Sequence, residues 1–317
     1  MLKVLEKHSI FPDIIVGTSM GALVGALYAG GIKVTDIEQF ALRLNSTRLA
    51  LLADVTLPLS GLVGGRRVVS LLKSILGDLT FSQMKYDFAC VATDIRTGEQ
   101  VVLREGSLLE AVRASISLPG IFTPVKIGGR YLVDGGLINE VPVSVCREMG
   151  AEYVVGVNVI PEPSRMLRRP REVQAAPAHE PTGPEELRDE RKPSVLSDTP
   201  GRFIRSRIND IDSAIQTFLL YRQPQRIRRQ VSKSLEWARR DIPRRLHRDM
   251  PSLIDVLSQT LTIAEYRVAV ENMKLADLAI SPDVEDIDFW QFTRAAHAIA
   301  VGEEAARRAL SNADKGN

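Results

Sequence analysis

A serine held between two glycines at the end of a short apolar run is the group in this chain best placed to do chemistry. The run reads Asp13-Ile14-Ile15-Val16-Gly17-Thr18-Ser19-Met20-Gly21-Ala22-Leu23. Its branched residues predict a buried strand, Gly-x-Ser-x-Gly a sharp turn, and the stretch after it a helix. A turn of that kind exposes the serine hydroxyl, and glycines let the backbone bend so tightly. The helix that follows aims its free N–H groups and positive dipole end at the same point. Ser19 is therefore the candidate nucleophile, with Gly17 and Gly21 as its flanking motif residues. A serine hydroxyl attacks poorly unless a base removes its proton.

Two readings supply that base. In the first it is Asp134 of Val133-Asp134-Gly135-Gly136, an aspartate at the end of an apolar strand with Gly135 and Gly136 leaving room for close approach. In the second, Ser19, Asp134 and His297 form a triad in the chain order of an α/β-hydrolase. The triad conflicts with topology. An α/β-hydrolase takes an oxyanion donor from a loop after its third strand, well ahead of the serine. The eighteen residues before Ser19 cannot hold three strands. His297, among Ala295, Ala296 and Ala298, reads as a packed or surface helical residue. His8, His179 and His247 have no metal-ligand spacing with another His or Cys. The duller readings are that Ser19 only shapes a turn and that Asp134 only caps the one after it. Asp94 reads as a turn residue.

The elements that must hold these groups alternate. Asp13 to Val16 is a predicted strand, and Met20 to Ala29 a helix ended by Gly30-Gly31. Thr35-Asp36-Ile37-Glu38 has capping-box spacing and predicts a helix start, as does Ser107-Leu108-Leu109-Glu110. Val68 to Leu76 is helical. Phe88 to Thr93 and Glu99 to Leu103 predict a hairpin through Arg96-Thr97-Gly98, and Val125 to Val133 a second one. A helix from Pro142 and a strand from Tyr153 to Val159 follow. Ala276 to Ser281 reads as a returning strand and Phe292 to Leu310 as a last helix. Strands interleaved with helices predict an α/β fold, a three-layer α/β/α sandwich with a mainly parallel central sheet and a helical insertion.

Composition divides the chain further. The 317 residues carry a net charge of only +2, which gives no overall field for nucleic acid. Residues 161–200 hold eight of the seventeen prolines and read as a linker. Residues 161–250 carry 20 Lys and Arg against 13 Asp and Glu, a net of +7, leaving −5 for the rest. The expected organisation is a core over 1–160, a Pro-rich linker over 161–201, a basic helical insertion over 202–274, and a strand and helix over 275–317 that complete the core. The basic segment either presents a solvated arginine face with its apolar side packed, or lies on anionic lipid. Cys90 and Cys146 sit in apolar surroundings and fit reduced residues of a cytoplasmic protein. The N-terminus lacks the apolar region and cleavage site of a secretory signal. No stretch is long enough to span a bilayer, so membrane contact is expected to be peripheral.

Residues 13–29 resemble the nucleophile segment of patatin-like phospholipases. Arg113-Ala114-Ser115-Ile116-Ser117-Leu118-Pro119-Gly120-Ile121-Phe122 and Leu132-Val133-Asp134-Gly135-Gly136 resemble that family's next two blocks, and Val91-Ala92-Thr93-Asp94 also fits. The resemblance covers about residues 1–160 and, more weakly, 276–310. It implies a patatin-like fold and a Ser–Asp dyad without histidine, with Ser19 as nucleophile and Asp134 as general base. It also implies a lipid acyl ester as substrate, and no metal or organic cofactor. One departure stands out. The family carries a glycine-rich basic loop ahead of the nucleophile, whose N–H groups form the oxyanion hole. Here Leu2 to Glu6 already reads as the helix after that loop. Gly64-Gly65-Arg66-Arg67 lies on the wrong side of Ser19 to replace it. Either the true start lies upstream of Met1, or this form is a catalytically impaired or non-catalytic lipid-binding or regulatory protein. The retention of both Ser19 and Asp134 favours the first.

Overall fold

The computed structural model describes residues 1–44, 64–163, 253–287 and 291–316. The chain opens with helix α1 (Leu2–Lys7), strand β1 (Ile14–Thr18) and helix α2 (Met20–Ala29). Helices α3 (Val34–Arg43) and α4 (Arg66–Leu76) follow, then strands β2 (Asp87–Asp94) and β3 (Gln100–Leu103). Helix α5 (Leu108–Ser115), strands β4 (Val125–Ile127) and β5 (Arg130–Asp134), helix α6 (Val143–Glu148) and strand β6 (Val155–Val157) complete the first half. Helix α7 (Leu253–Met273), strand β7 (Leu278–Ile280) and helix α8 (Ala295–Gly316) return to it.

The middle strand β2 is buried on both faces, and its alternation sorts the layers. Phe88, Cys90 and Ala92 enter the main apolar cluster with Ala22 and Ala26 of α2, Leu72 and Ile75 of α4, and Val112 of α5. Ala89, Val91 and Thr93 point the other way and are also buried. A second cluster joins Val4 of α1 and Ile280 of β7 to Ala306 and Leu310 of α8. A third packs Val143 of α6 and Val154 against Ala269 of α7. The three-layer α/β/α arrangement is the expected one.

The strand pairing is mixed rather than mainly parallel. β1 with β2 and β6 with β7 are parallel, whereas β2–β3, β2–β5 and β4–β5 are antiparallel. The cause is local. Two hairpins turn tightly through Gly98 and through Gly128-Gly129, all three with positive φ, and tight turns join antiparallel strands.

The register decides where the chemistry lies. β1 pairs along residues 87–91 of β2, β3 along 90–93, and β5 along 92–94. Because β3 overlaps both of the others, β1 and β5 must share the opposite edge of β2. They run toward each other along it. Thr18, the last residue of β1, faces Val91, and Asp134, the last of β5, faces Ala92. The strand ends carrying the two candidate groups therefore meet head to head.

Several boundaries differ from expectation. α3 starts at Val34 and its cap residue Lys33 offers no side-chain bond, so Thr35 is not a cap. The Asp36 and Ile37 N–H groups reach the Lys33 carbonyl instead, two residues before Thr35. The Ser107 cap is present, its hydroxyl accepting the Glu110 N–H. Strands β6 and β7 keep only three residues each. Of the expected linker and insertion, residues 164–252 lie outside the described residues. Helix α7, at the end of that stretch, packs on the core through Ala269.

Candidate active site

Ser19 sits between β1 and α2 with φ 53° and ψ −121°, a backbone region that non-glycine residues rarely occupy. Its neighbours hold it there. The Ser19 carbonyl accepts the Ala22 and Leu23 N–H groups, and its own N–H donates to Ser115 Oγ at 3.0 Å. Thr18 Oγ1 donates to the Asn139 carbonyl at 2.8 Å. A Cβ at Gly17 would overlap the Gly21 carbonyl, so only glycine lets the chain fold back this closely. Gly21 is different. A Cβ there would meet nothing within 4 Å, and the space beside the first turn of α2 stays open.

Asp134 closes the site from the other side. Ser19 Oγ donates to Asp134 Oδ2 at 2.6 Å, and Asp134 Oδ1 accepts the Gly136 N–H at 2.9 Å. The carboxylate thus caps the turn over Gly135–Leu137 and faces the serine at once. The two contacts use different oxygens, so capping the turn leaves Oδ2 to the serine. The Asp134 N–H and carbonyl are tied to the Ser117 carbonyl and the Thr93 hydroxyl. A Cβ at Gly135 would overlap the Val91 carbonyl. The aspartate is 1 % exposed. Burial raises its pKa to about 6, against the pull of the Ser19 and Gly136 hydrogen bonds.

Two further carboxyls crowd the same turn. From the position a Gly136 Cβ would occupy, Asp134 Oδ1 and Glu265 Oε1 each lie 3.3 Å away, and Glu140 Oε2 is in overlap. Burial, then the Asp134 charge, raises the pKa of Glu265 to about 7. Burial, with Asp134 and Glu265 adding to it, holds Glu140 well above the usual carboxylate range. Neither glutamate carries a motif. Glu265 reaches the site on α7, from a part of the sequence with no marker of its own. Asn139 is a third unmarked contributor. It is buried, donates to Gln100 Oε1 and Ser144 Oγ, and accepts from Asn272 Nδ2 of α7 at 2.6 Å.

The remaining candidates lie apart from this geometry. The His297 ring on α8 pairs with Asp286 at 3.1 Å and is exposed. Asp94 Oδ1 accepts the Arg96 N–H, as a turn residue does. Cys90 and Cys146 are free, and burial pushes the Cys90 thiol up. Among the described residues no His, Cys, Asp and Glu group has the arrangement of a metal site. Among them, too, no helix is long and apolar enough to cross a membrane.

A strained serine at a strand–helix turn, facing a buried aspartate at a second strand end, defines a class. Residues 1–147, just under half of the chain, match the family model for patatin-like phospholipases. Over 93 % of its length the chain is 26 % identical to an uncharacterized NTE family protein of Mycobacterium bovis, covering 82 % of that protein. A second NTE family protein of the same organism is 37 % identical over 47 % of this chain and 26 % of its own length. The lysophospholipase NTE1 of Debaryomyces hansenii is 33 % identical over 49 % of this chain and 10 % of its own.

Proposed function

We propose that this protein is a serine acyl hydrolase of the phospholipase or lysophospholipase type, working through a Ser19–Asp134 dyad. The observation that carries the reading is the 2.6 Å hydrogen bond from Ser19 Oγ to a buried carboxylate. In this reading Asp134 takes the hydroxyl proton as Ser19 Oγ bonds to the ester carbonyl carbon. The tetrahedral adduct then collapses, the carbon–oxygen bond to the alcohol breaks, and Asp134 returns the proton to the leaving oxygen. Water enters and gives a proton to Asp134 as its oxygen attacks the acyl-serine; the adduct collapses, the bond to Ser19 Oγ breaks, Asp134 returns the proton to Oγ, and the fatty acid leaves. A base with a pKa of about 6 is mostly ionised at neutral pH yet far more basic than an ordinary aspartate. The similarity to a lysophospholipase supports a lipid ester as substrate.

The second reading is a lipid-binding or regulatory protein without catalysis. One experiment separates the two. The purified protein is assayed on a short-chain p-nitrophenyl ester and a lysophospholipid, and exposed to a serine-reactive fluorophosphonate. The hydrolase reading expects turnover and labelling at Ser19, both lost in Ser19→Ala. Equal turnover in wild type and Ser19→Ala would remove the dyad. A folded wild type that neither turns over nor labels would leave the binding reading.

A further inference from the structure

We propose that the C-terminal turn of α5 is a clamp that sets the geometry between Ser19 and Asp134, with Ser115 as its positioning residue. The proposal rests on the dyad reading above.

Ser115 is fully buried. Its hydroxyl accepts the Ser19 N–H at 3.0 Å and donates to the Val91 carbonyl at 2.6 Å. Val91 is the β2 residue in register with Thr18, so one hydroxyl ties the elbow to the strand beside it. Two residues on, the Ser117 carbonyl accepts the Asp134 N–H at 3.0 Å. The backbone N–H groups of nucleophile and base, brought in by different strands from opposite directions, thus end on acceptors two residues apart on one turn. A shift of that turn moves both.

The turn is itself pinned. Arg113 is buried and donates to Ser117 Oγ at 2.5 Å, to the Gly64 carbonyl at 2.9 Å and to the Thr123 carbonyl at 3.0 Å. Its guanidinium also lies over the Phe122 ring, 4.9 Å from the centroid. Ser117 Oγ donates back to the Arg113 carbonyl.

The chemistry at position 115 calls for a hydroxyl. One atom must accept from an N–H and donate to a carbonyl at a fully buried position. Alanine leaves two buried backbone groups without partners, and a buried group in that state is costly. The strained Ser19 conformation is kept only where its surroundings over-determine it. Losing the Ser115 bond lets the elbow relax and carries Oγ away from Asp134. A second consequence concerns the oxyanion. The Ser19 N–H is already engaged by Ser115, so the donors that meet the ester oxygen during reaction must come from elsewhere.

Ser115 does not touch substrate, so its loss is read in rate and not in binding. The test compares wild type, Ser115→Ala and Ser115→Thr by thermal melting, fluorophosphonate labelling, lysophospholipid turnover, and hydrogen exchange at the Ser19 amide. For a folded Ser115→Ala we expect labelling and kcat to fall on the order of 10- to 100-fold with KM within about twofold, and the Ser19 amide to exchange faster. Threonine keeps the hydroxyl and should restore labelling and amide protection, its extra methyl showing in the melting temperature alone. Should the alanine variant not fold, Ser115→Cys replaces it, with a similar volume and a weak donor and acceptor. Wild-type labelling in a folded Ser115→Ala or Ser115→Cys overturns the clamp, and so does unchanged Ser19 amide exchange. Amide exchange needs no activity. A wild type that never labels sinks the dyad reading, while amide exchange still decides for or against the clamp.

Discussion

Asp134 carries a charge in a place that resists one, and this links the pH dependence of activity to that of stability. Folded Asp134 keeps its proton to about 6, against its ordinary 3.8. Between those values the folded state binds more protons than the unfolded chain, so this group's contribution to stability falls as pH rises, by about 3 kcal/mol across the window. In the proposed dyad, activity moves the other way, because only ionised Asp134 can take the Ser19 proton. We expect kcat/KM to climb with pH through about 6. The Asp134→Asn variant removes the buried charge along with the base. It should be inactive, yet melt above wild type at about pH 8, the gap closing toward about pH 4. Melting curves at the two pH values check this, and a variant that melts below wild type at both would refute it. Residue types were the easiest thing to read in the sequence. Ser19 and Asp134 stand out because glycines flank them in short patterns. Glu140, Glu265 and Asn139 do not stand out, because an isolated Glu or Asn shows nothing of its neighbours until the chain folds.

At the scale of elements, the site depends on how closely strand ends approach β2. Gly135 and Gly21 belong to the two motifs, but the structure gives them different duties. A side chain at 135 would strike the Val91 carbonyl, while one at 21 finds open space. Gly135→Ala should therefore melt well below wild type and lose Ser19 labelling. Gly21→Ala, at the start of a helix, should keep or raise the melting temperature. Differential scanning calorimetry of the pair checks the contrast, and equal losses would show that the open space at 21 is not there in solution. Helices α2 and α5, the hairpins and the layer order were legible from periodicity, glycine turns and the Ser107 cap. Strand direction was not. Alternation says which face of a strand is buried and says nothing of whether its neighbour runs up or down, so β5 could not be seen to oppose β1. The start of α3 was misread for a related reason. Thr35 has the spacing of a cap, but the helix begins at the buried Val34, with its cap two residues further back at Lys33.

Across the whole molecule, the sequence places +7 on residues 161–250 and −5 on the remainder. We propose that the positive segment brings the protein to anionic membrane surfaces, where lipid esters are found. Attraction of this kind is screened within about 8 Å at physiological salt, so it should weaken steeply as salt rises. Co-sedimentation with phosphatidylserine-containing vesicles should thus exceed that with neutral vesicles at low ionic strength. It should fall when Arg226, Arg228, Arg229, Arg239 and Arg240 are replaced by glutamine. Equal sedimentation before and after that replacement would count against the idea. This was the part of the chain in which composition spoke most clearly and position least.

The head-to-head meeting of β1 and β5 on one edge of β2 has a kinetic side. Ser19 and Asp134 are 115 residues apart in sequence. No local hairpin or helix can bring them together, and closing so long a loop is entropically costly until the contacts around it form. A chain still being made, or one trapped part-way to its final shape, would hold an ordinary serine and an ordinary aspartate. Reactivity would switch on only with the last long-range docking event. A fluorophosphonate pulse during refolding would then act as a clock for completion, and the proposed hydrolase would be harmless to lipid until it is whole.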